Sequence, residues 1–133
     1  MPPVLAKSPR TKGAPTFGET LDGHTQQVVD GFHHLFGSDP ASPSRLARKW
    51  LTFFKLTPAD FRPFFVNAQI SCGCHDAGKA NEGFAGVVSR RRGAVQILRH
   101  EHLSGMLLYL PTVAPLIDGI AEADCQIIFA AVA

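Results

Sequence analysis

Apolar residues in this chain recur at steps of three and four, and nowhere is a two-residue alternation sustained. That period puts side chains on one face of a helix and leaves no half-buried strand, so the spacing predicts an all-α fold. His24, Val28, Gly31, Phe32 and Leu35 follow it in a first helix. Thr57, Pro58 and Asp60 read as a helix start, with a cap, a first-turn proline and a carboxylate at the positive end. Phe61, Phe64, Phe65, Ala68 and Cys72 then form a stripe leading to His75 and Asp76, and Pro63 is assigned to the harmless first turn. A third helix is predicted over 96–110, with Ile97, His100, Leu103, Leu107 and Leu110 on one face. A fourth is predicted over 123–133, where the apolar run fits a buried strand as well and the alanines favour helix.

Loops separate these segments at Gly37 to Ser44 and at Ser89 to Gly93. Residues 1–16, rich in proline and carrying Lys7, Arg10 and Lys12, read as a flexible arm ahead of one domain over 17–133. A length of 133 residues with 45% hydrophobic side chains suits one core and excludes a two-domain enzyme. Thirteen basic against eleven acidic residues leave a net charge of +2, which by itself does not mark a nucleic-acid binder. No apolar run approaches the ~18 residues a membrane span needs. The odd count of three cysteines argues against a disulfide scaffold, so a cytoplasmic setting with no membrane partner is expected.

His24, His75 and His100 each fall on or beside an apolar helix face, and Asp76 is adjacent to one of them. A single inward histidine is usually a satisfied core residue, but three on different helices beside a carboxylate also make a ligand set for a divalent ion. Lys79 lies three residues from Asp76 and four from His75, where it could hold a phosphate oxygen or simply pair with the aspartate. Gly73 and Gly78 are placed to relax the backbone on either side.

The string HDAGK, with His24 upstream in GETLDGHT and His100 downstream in ILRHEHLSG, resembles the HD superfamily of metal-dependent phosphohydrolases. More closely it resembles the HD nuclease domain of the CRISPR-associated type I nuclease–helicases, over residues 4–133. The resemblance implies a helical HD bundle that hydrolyses phosphodiester bonds of single-stranded DNA in antiviral defence. It implies one or two divalent ions (manganese, magnesium, nickel, cobalt or iron). The implied partners are a helicase subunit or domain and the RNA-guided surveillance complex. By the same resemblance His24, His75 and Asp76 bind the first ion, and His100 binds a second with Asp76 bridging. Asp76 and Lys79 are then the catalytic pair, with Lys79 near the scissile phosphate.

In that family a histidine pair and a later aspartate follow a helix like 125–133, and neither falls within this sequence. The expectation is therefore the N-terminal portion of an HD bundle, incomplete at its C-terminal side, whose activity as a short chain is open. Helicase motifs and a Walker-type loop are also absent from these residues. Two other classes stay open, an HD phosphohydrolase acting on nucleotides and a non-catalytic truncated interaction module.

Other residues carry competing readings. Arg90, Arg91 and Arg92, with Arg99, could contact DNA phosphates or form a solvated loop. Cys72, Cys74 and Cys125 lack the spacing of a zinc site and read as small buried thiols. His33 and His34 are expected at the surface or behind the site, and His102, two positions from His100, to point away from it. Phe53, Phe54, Phe61, Phe64 and Phe65 could stack bases, although helical spacing more often means core.

Overall fold

The computed structural model describes residues 3–10 and 13–133; Met1, Pro2, Thr11 and Lys12 of the expected arm lie outside them. It is all-α, with α1 (Leu21–Phe36), α2 (Arg45–Phe53), α3 (Pro58–Cys74), α4 (Glu82–Val88), α5 (His100–Leu107), α6 (Ala114–Asp118) and α7 (Cys125–Val132). Short 3-10 turns cover Phe17–Glu19 and Ala77–Lys79.

Local chemistry sets most of these boundaries. Thr20, Ser44, Asn81 and Asp124 each accept a backbone N–H of the first turn of α1, α2, α4 and α7, satisfying donors that the helix leaves unpaired. At α3 the Asp60 carboxylate accepts from the Thr57 N–H and hydroxyl, both at 2.7 Å. α1 stops at Gly37, whose φ of +105° suits glycine alone among common residues.

Helix α3 is the centre of the bundle and is apolar on more than one side. Phe61 and Phe65 pack with Phe32 of α1 and with Ala47 and Leu51 of α2 in one core cluster. Ile70 and Cys74 pack against a second cluster, made by Leu108, Ile117, Ile128 and Val132. Asn67, buried between them, donates to the Pro63 and Glu122 carbonyls at 2.8 and 2.9 Å and accepts the Asp124 N–H at 2.7 Å. That side chain fastens the start of α7 to α3. Asn67→Ala should leave those backbone groups short of partners and cost about 2–3 kcal/mol, read as a lowered urea midpoint at unchanged slope.

Three expectations need correction. Pro63 is the sixth residue of α3, inside the helix rather than in its first turn. The helix survives because the proline deprives only the Ala59 carbonyl, and Ala59 is exposed to water. The predicted helix over 96–110 is confined to His100–Leu107. Ile97 is 91% exposed and Val95 69%, so no core covers that end of the stripe, and an unburied short helix is marginal. Phe53 and Phe54, on the core side of the reading, are 78% and 53% exposed, whereas Phe61 and Phe65 are buried.

Within the stretch expected as a flexible arm, residues 4–10 lie against the body. Leu5 bridges Thr20, Ala6 donates to the Glu19 carbonyl at 2.8 Å, and the Ser8 hydroxyl donates to the Val88 carbonyl at 3.0 Å. The buried Glu19 carboxylate accepts the Arg10 and Thr16 N–H groups, both at 2.8 Å, and these bonds hold it below the usual carboxylate range. No helix among the described residues is long and apolar enough to cross a membrane.

Candidate metal centre

The site is built where α3 runs out. His75 closes the helix, and the chain turns at Asp76 into the Ala77–Lys79 turn, which packs on α5. Asp76 is 3% exposed, and its carboxylate faces four groups able to carry positive charge. Oδ2 lies 3.3 Å from His24 Nε2 of α1, 3.3 Å from His75 Nε2 and 2.6 Å from Lys79 Nζ. Oδ1 lies 3.2 Å from His100 Nε2, at the start of α5. The structure thus brings His24, His75, Asp76, Lys79 and His100 together from three stretches of chain.

The imidazoles are oriented from behind. His75 Nδ1 lies 2.8 Å from the Cys72 carbonyl, which can only accept, so Nδ1 carries the proton and Nε2 points at Asp76. An unprotonated Nε2 then sets its lone pair against a carboxylate oxygen. Such a contact is repulsive unless a proton or a metal ion lies between the two. His100 Nδ1 lies 3.4 Å from Glu101 Oε2, and its ring packs edge-on against Phe84. Arg99 binds the same Glu101 at 2.7 Å and holds its carboxyl down at about 2, so Glu101 stays ionised behind the histidine.

His24 has a pKa below its ordinary value. Burial is the main cause, the Asp76 charge opposes it, and Lys79 and His75 add to the lowering. Its lone pair is therefore available at neutral pH. Any stability this gives is complete above the unfolded value of 6.5 and is lost as pH falls through the folded one. NMR titration of the metal-free protein should place the His24 midpoint below 6.5, and Asp76→Asn should lower it further. A midpoint above 6.5 would mean that the carboxylate outweighs burial.

His24, His75 and Asp76 offer ligand atoms all within 4.8 Å of one another, so one ion could take all three. His100 stands across the carboxylate, on Oδ1. Two imidazole nitrogens and a carboxylate oxygen, with a third imidazole on the other oxygen, fit a borderline divalent ion.

Nearly the whole chain is similar to part of a Myxococcus xanthus protein that carries the name CRISPR-associated nuclease/helicase Cas3. The two are 31% identical over 134 residues, which cover 91% of this chain and 16% of that relative. By sequence, the chain is a relative of the Cas3 nuclease/helicases. It spans about a sixth of the length of the curated relative it matches. No family model and no solved structure matches the chain.

Around the centre of this relative of the nuclease/helicases, sequence reasoning overlooked three supports. Glu101 backs His100, as above. Ser104, fully buried one turn on, accepts the Gly78 N–H at 2.8 Å and donates to the His100 carbonyl at 2.9 Å. Gly78 was read as a flexible joint, yet it is a point of close approach, where an added Cβ would lie 2.1 Å from the His100 carbonyl oxygen. The i, i+4 spacing of His100 and Ser104 was the legible signal. Gly73, by contrast, has open space beside it.

The remaining candidates lie elsewhere. Arg90, Arg91 and Arg92 are exposed in the loop after α4. Cys72 faces the first core cluster and Cys74 the second, and burial raises both thiols, so neither offers a ready thiolate. His33 stacks on Phe65, while His34 and His102 are exposed.

Proposed function

We propose that this chain carries the metal-binding part of an HD-type nuclease that hydrolyses phosphodiester bonds of single-stranded DNA in CRISPR antiviral defence. One observation carries the reading. A buried carboxylate, Asp76, presents one oxygen to His24 and His75 and the other to His100. The relative's name supports the nuclease class and the CRISPR setting.

In this reading His24, His75 and Asp76 would hold one divalent ion, and His100 with Asp76 would hold a second. The chemistry such ions supply is Lewis acidity toward a phosphodiester oxygen and a lowered pKa for water. The protein's own share is geometry and charge. The Cys72 carbonyl fixes the His75 ring, Glu101 and Phe84 fix His100, and Asp76 anchors the set. In this reading Lys79, 2.6 Å from Asp76 and with its ammonium 5.5 Å from the Phe84 ring centre, is the cation that meets a phosphate oxygen. In this reading the exposed Arg90, Arg91 and Arg92 add unspecific contacts to the strand. The partners of the proposal are a helicase and the RNA-guided surveillance complex, and its place is the cytoplasm.

The test is cleavage of end-labelled single-stranded DNA with manganese, magnesium or nickel, against chelator and against Asp76→Ala. Metal-dependent cleavage that the variant lacks is expected. Equal cleavage by the variant overturns the role of Asp76. Hydrolysis of free nucleotides with the DNA left intact moves the site to the nucleotide phosphohydrolases. Manganese titration without heat would leave a non-catalytic module.

A further inference from the structure

The cations of α2 have no task in the centre just described. Between Asp39 and Asp60 the sequence holds Arg45, Arg48, Lys49 and Lys55 and no carboxylate. Ala47 and Leu51 spend the apolar side of α2 on the core. Arg45, Arg48, Lys49 and Thr52 on its other side line a shallow depression of about 320 Å³. Among the described residues no carboxylate pairs with Arg45, Arg48 or Lys49, whereas Arg62 and Arg99 lie 3.1 and 2.7 Å from Glu122 and Glu101.

The helix end makes this concentration of charge costlier. α1, α3, α4 and α5 each carry a carboxylate in the first turn, where the dipole favours one. α2 has none there and begins with Arg45. Arg45 adds its charge to that positive end, and Arg48 and Lys49 follow one turn on. Among the described residues, only the Arg48 guanidinium of these side chains meets a carbonyl, that of Pro43 at 2.6 Å, so the cluster suits an anion from outside the chain.

Beside the cations stands an aromatic edge. Phe53, one turn after Lys49, is 78% exposed. Its ring meets Phe54 at 4.9 Å, Phe54 meets Trp50 at 5.0 Å, and Trp50 meets Phe64 at 4.5 Å, so the exposed ring is braced from the core. A positive groove next to a braced, exposed ring is the arrangement that tracks a strand's phosphates and stacks its bases. A bilayer would draw on a broad apolar face, and of that face of α2 Ala47 and Leu51 are already spent on the core.

We propose that the outer face of α2 binds a single nucleic-acid strand, with Arg45, Arg48 and Lys49 on backbone phosphates and Phe53 against a base. α2 packs on α1 through Phe32 and Phe36, toward the end of α1 remote from His24, and the twelve residues from His24 to Phe36 rise roughly 18 Å along that helix at 1.5 Å per residue. A strand rising about 3.4 Å per nucleotide covers that span in about five nucleotides. The site is thus separate from the metal centre and deepens the proposed function, resting on it only for the strand's being the substrate.

Anisotropy of labelled oligothymidylate in chelator, across a salt series, tests this without metal or cleavage. The pair Arg48→Glu and Lys49→Glu should weaken binding about tenfold or more and lower the salt slope by about 1.4, at ~0.7 per phosphate contact. Its thermal midpoint should change little, because both side chains are exposed and neither has a carboxylate partner to lose. Should the double variant misfold, Lys49→Gln alone should lower the slope by about 0.7. Phe53→Ala should weaken oligothymidylate binding about tenfold and leave inorganic polyphosphate binding unchanged. Unchanged affinity and slope in the charge variants overturn the proposal, as does tighter binding of the wild type to vesicles of phosphatidylserine and phosphatidylcholine. Manganese titration of the same proteins reports separately on the nuclease reading.

Discussion

Gly78→Ala is expected to cost about 3 kcal/mol or more and to spoil the proposed metal centre with it. An added methyl would sit 2.1 Å from the His100 carbonyl oxygen and 2.7 Å from both the Leu103 Cβ and the Ser104 backbone nitrogen. Two of these three atoms are backbone, so no rotamer change relieves the contact. The Ala77–Lys79 turn and the start of α5 must separate, and the bond from the Gly78 N–H to Ser104 is strained as they do. A typical domain holds about 5–15 kcal/mol in all, so the loss is a large share. Differential scanning calorimetry should show the fall in melting temperature. Manganese titration of whatever folds should show weakened binding, because His100 moves with α5. A variant as stable as the wild type would mean that turn and helix are not in contact.

Asp76→Asn is expected to lower metal affinity by more than the roughly 10–100-fold that loss of an outer partner costs. The amide keeps the size of the carboxylate and an oxygen for Lys79, but it removes the charge to which His24, His75, His100 and Lys79 all point. The fold should survive, because no core packing changes. Asp76→Ala is harsher. It leaves the Lys79 ammonium, whose side chain is 12% exposed, without its 2.6 Å partner, and breaking a buried pair from one side costs about 3 kcal/mol. Calorimetric titration and thermal melting of the two variants separate the effects. Full manganese affinity in Asp76→Asn would exclude the carboxylate as a ligand.

The helices around the centre were legible because their signals are local. Thr57, Pro58 and Asp60 mark the start of α3, and the stripe of α1 needs only its own spacing. The order GETLDGHT, HDAGK, RHEHLSG pointed to the residues that meet at Asp76. What escaped depends on contacts that spacing does not encode. Ile97 continues the stripe of α5 but has nothing to pack on, so the helix starts at His100 instead. Phe53 and Phe54 share the spacing of core residues, yet Ala47 and Leu51 take the inward side of α2 and leave them outside. α2, α4 and α6 went unread as helices, two of them too short to repeat a stripe. Gly78 carried a composition signal, flexibility, whereas its role is the absence of a side chain between two packed backbones.

The candidate ligands that meet at Asp76 are spread from His24 to His100, more than half of the sequence. Closing such a loop is entropically unfavourable before the two core clusters form, so no early fragment can assemble the donor set. An ion therefore has nothing to nucleate. It can engage only after α1, α3 and α5 have docked, and it should slow unfolding far more than it speeds folding. In stopped-flow refolding, added manganese should leave the folding limb of the chevron in place and displace the unfolding limb.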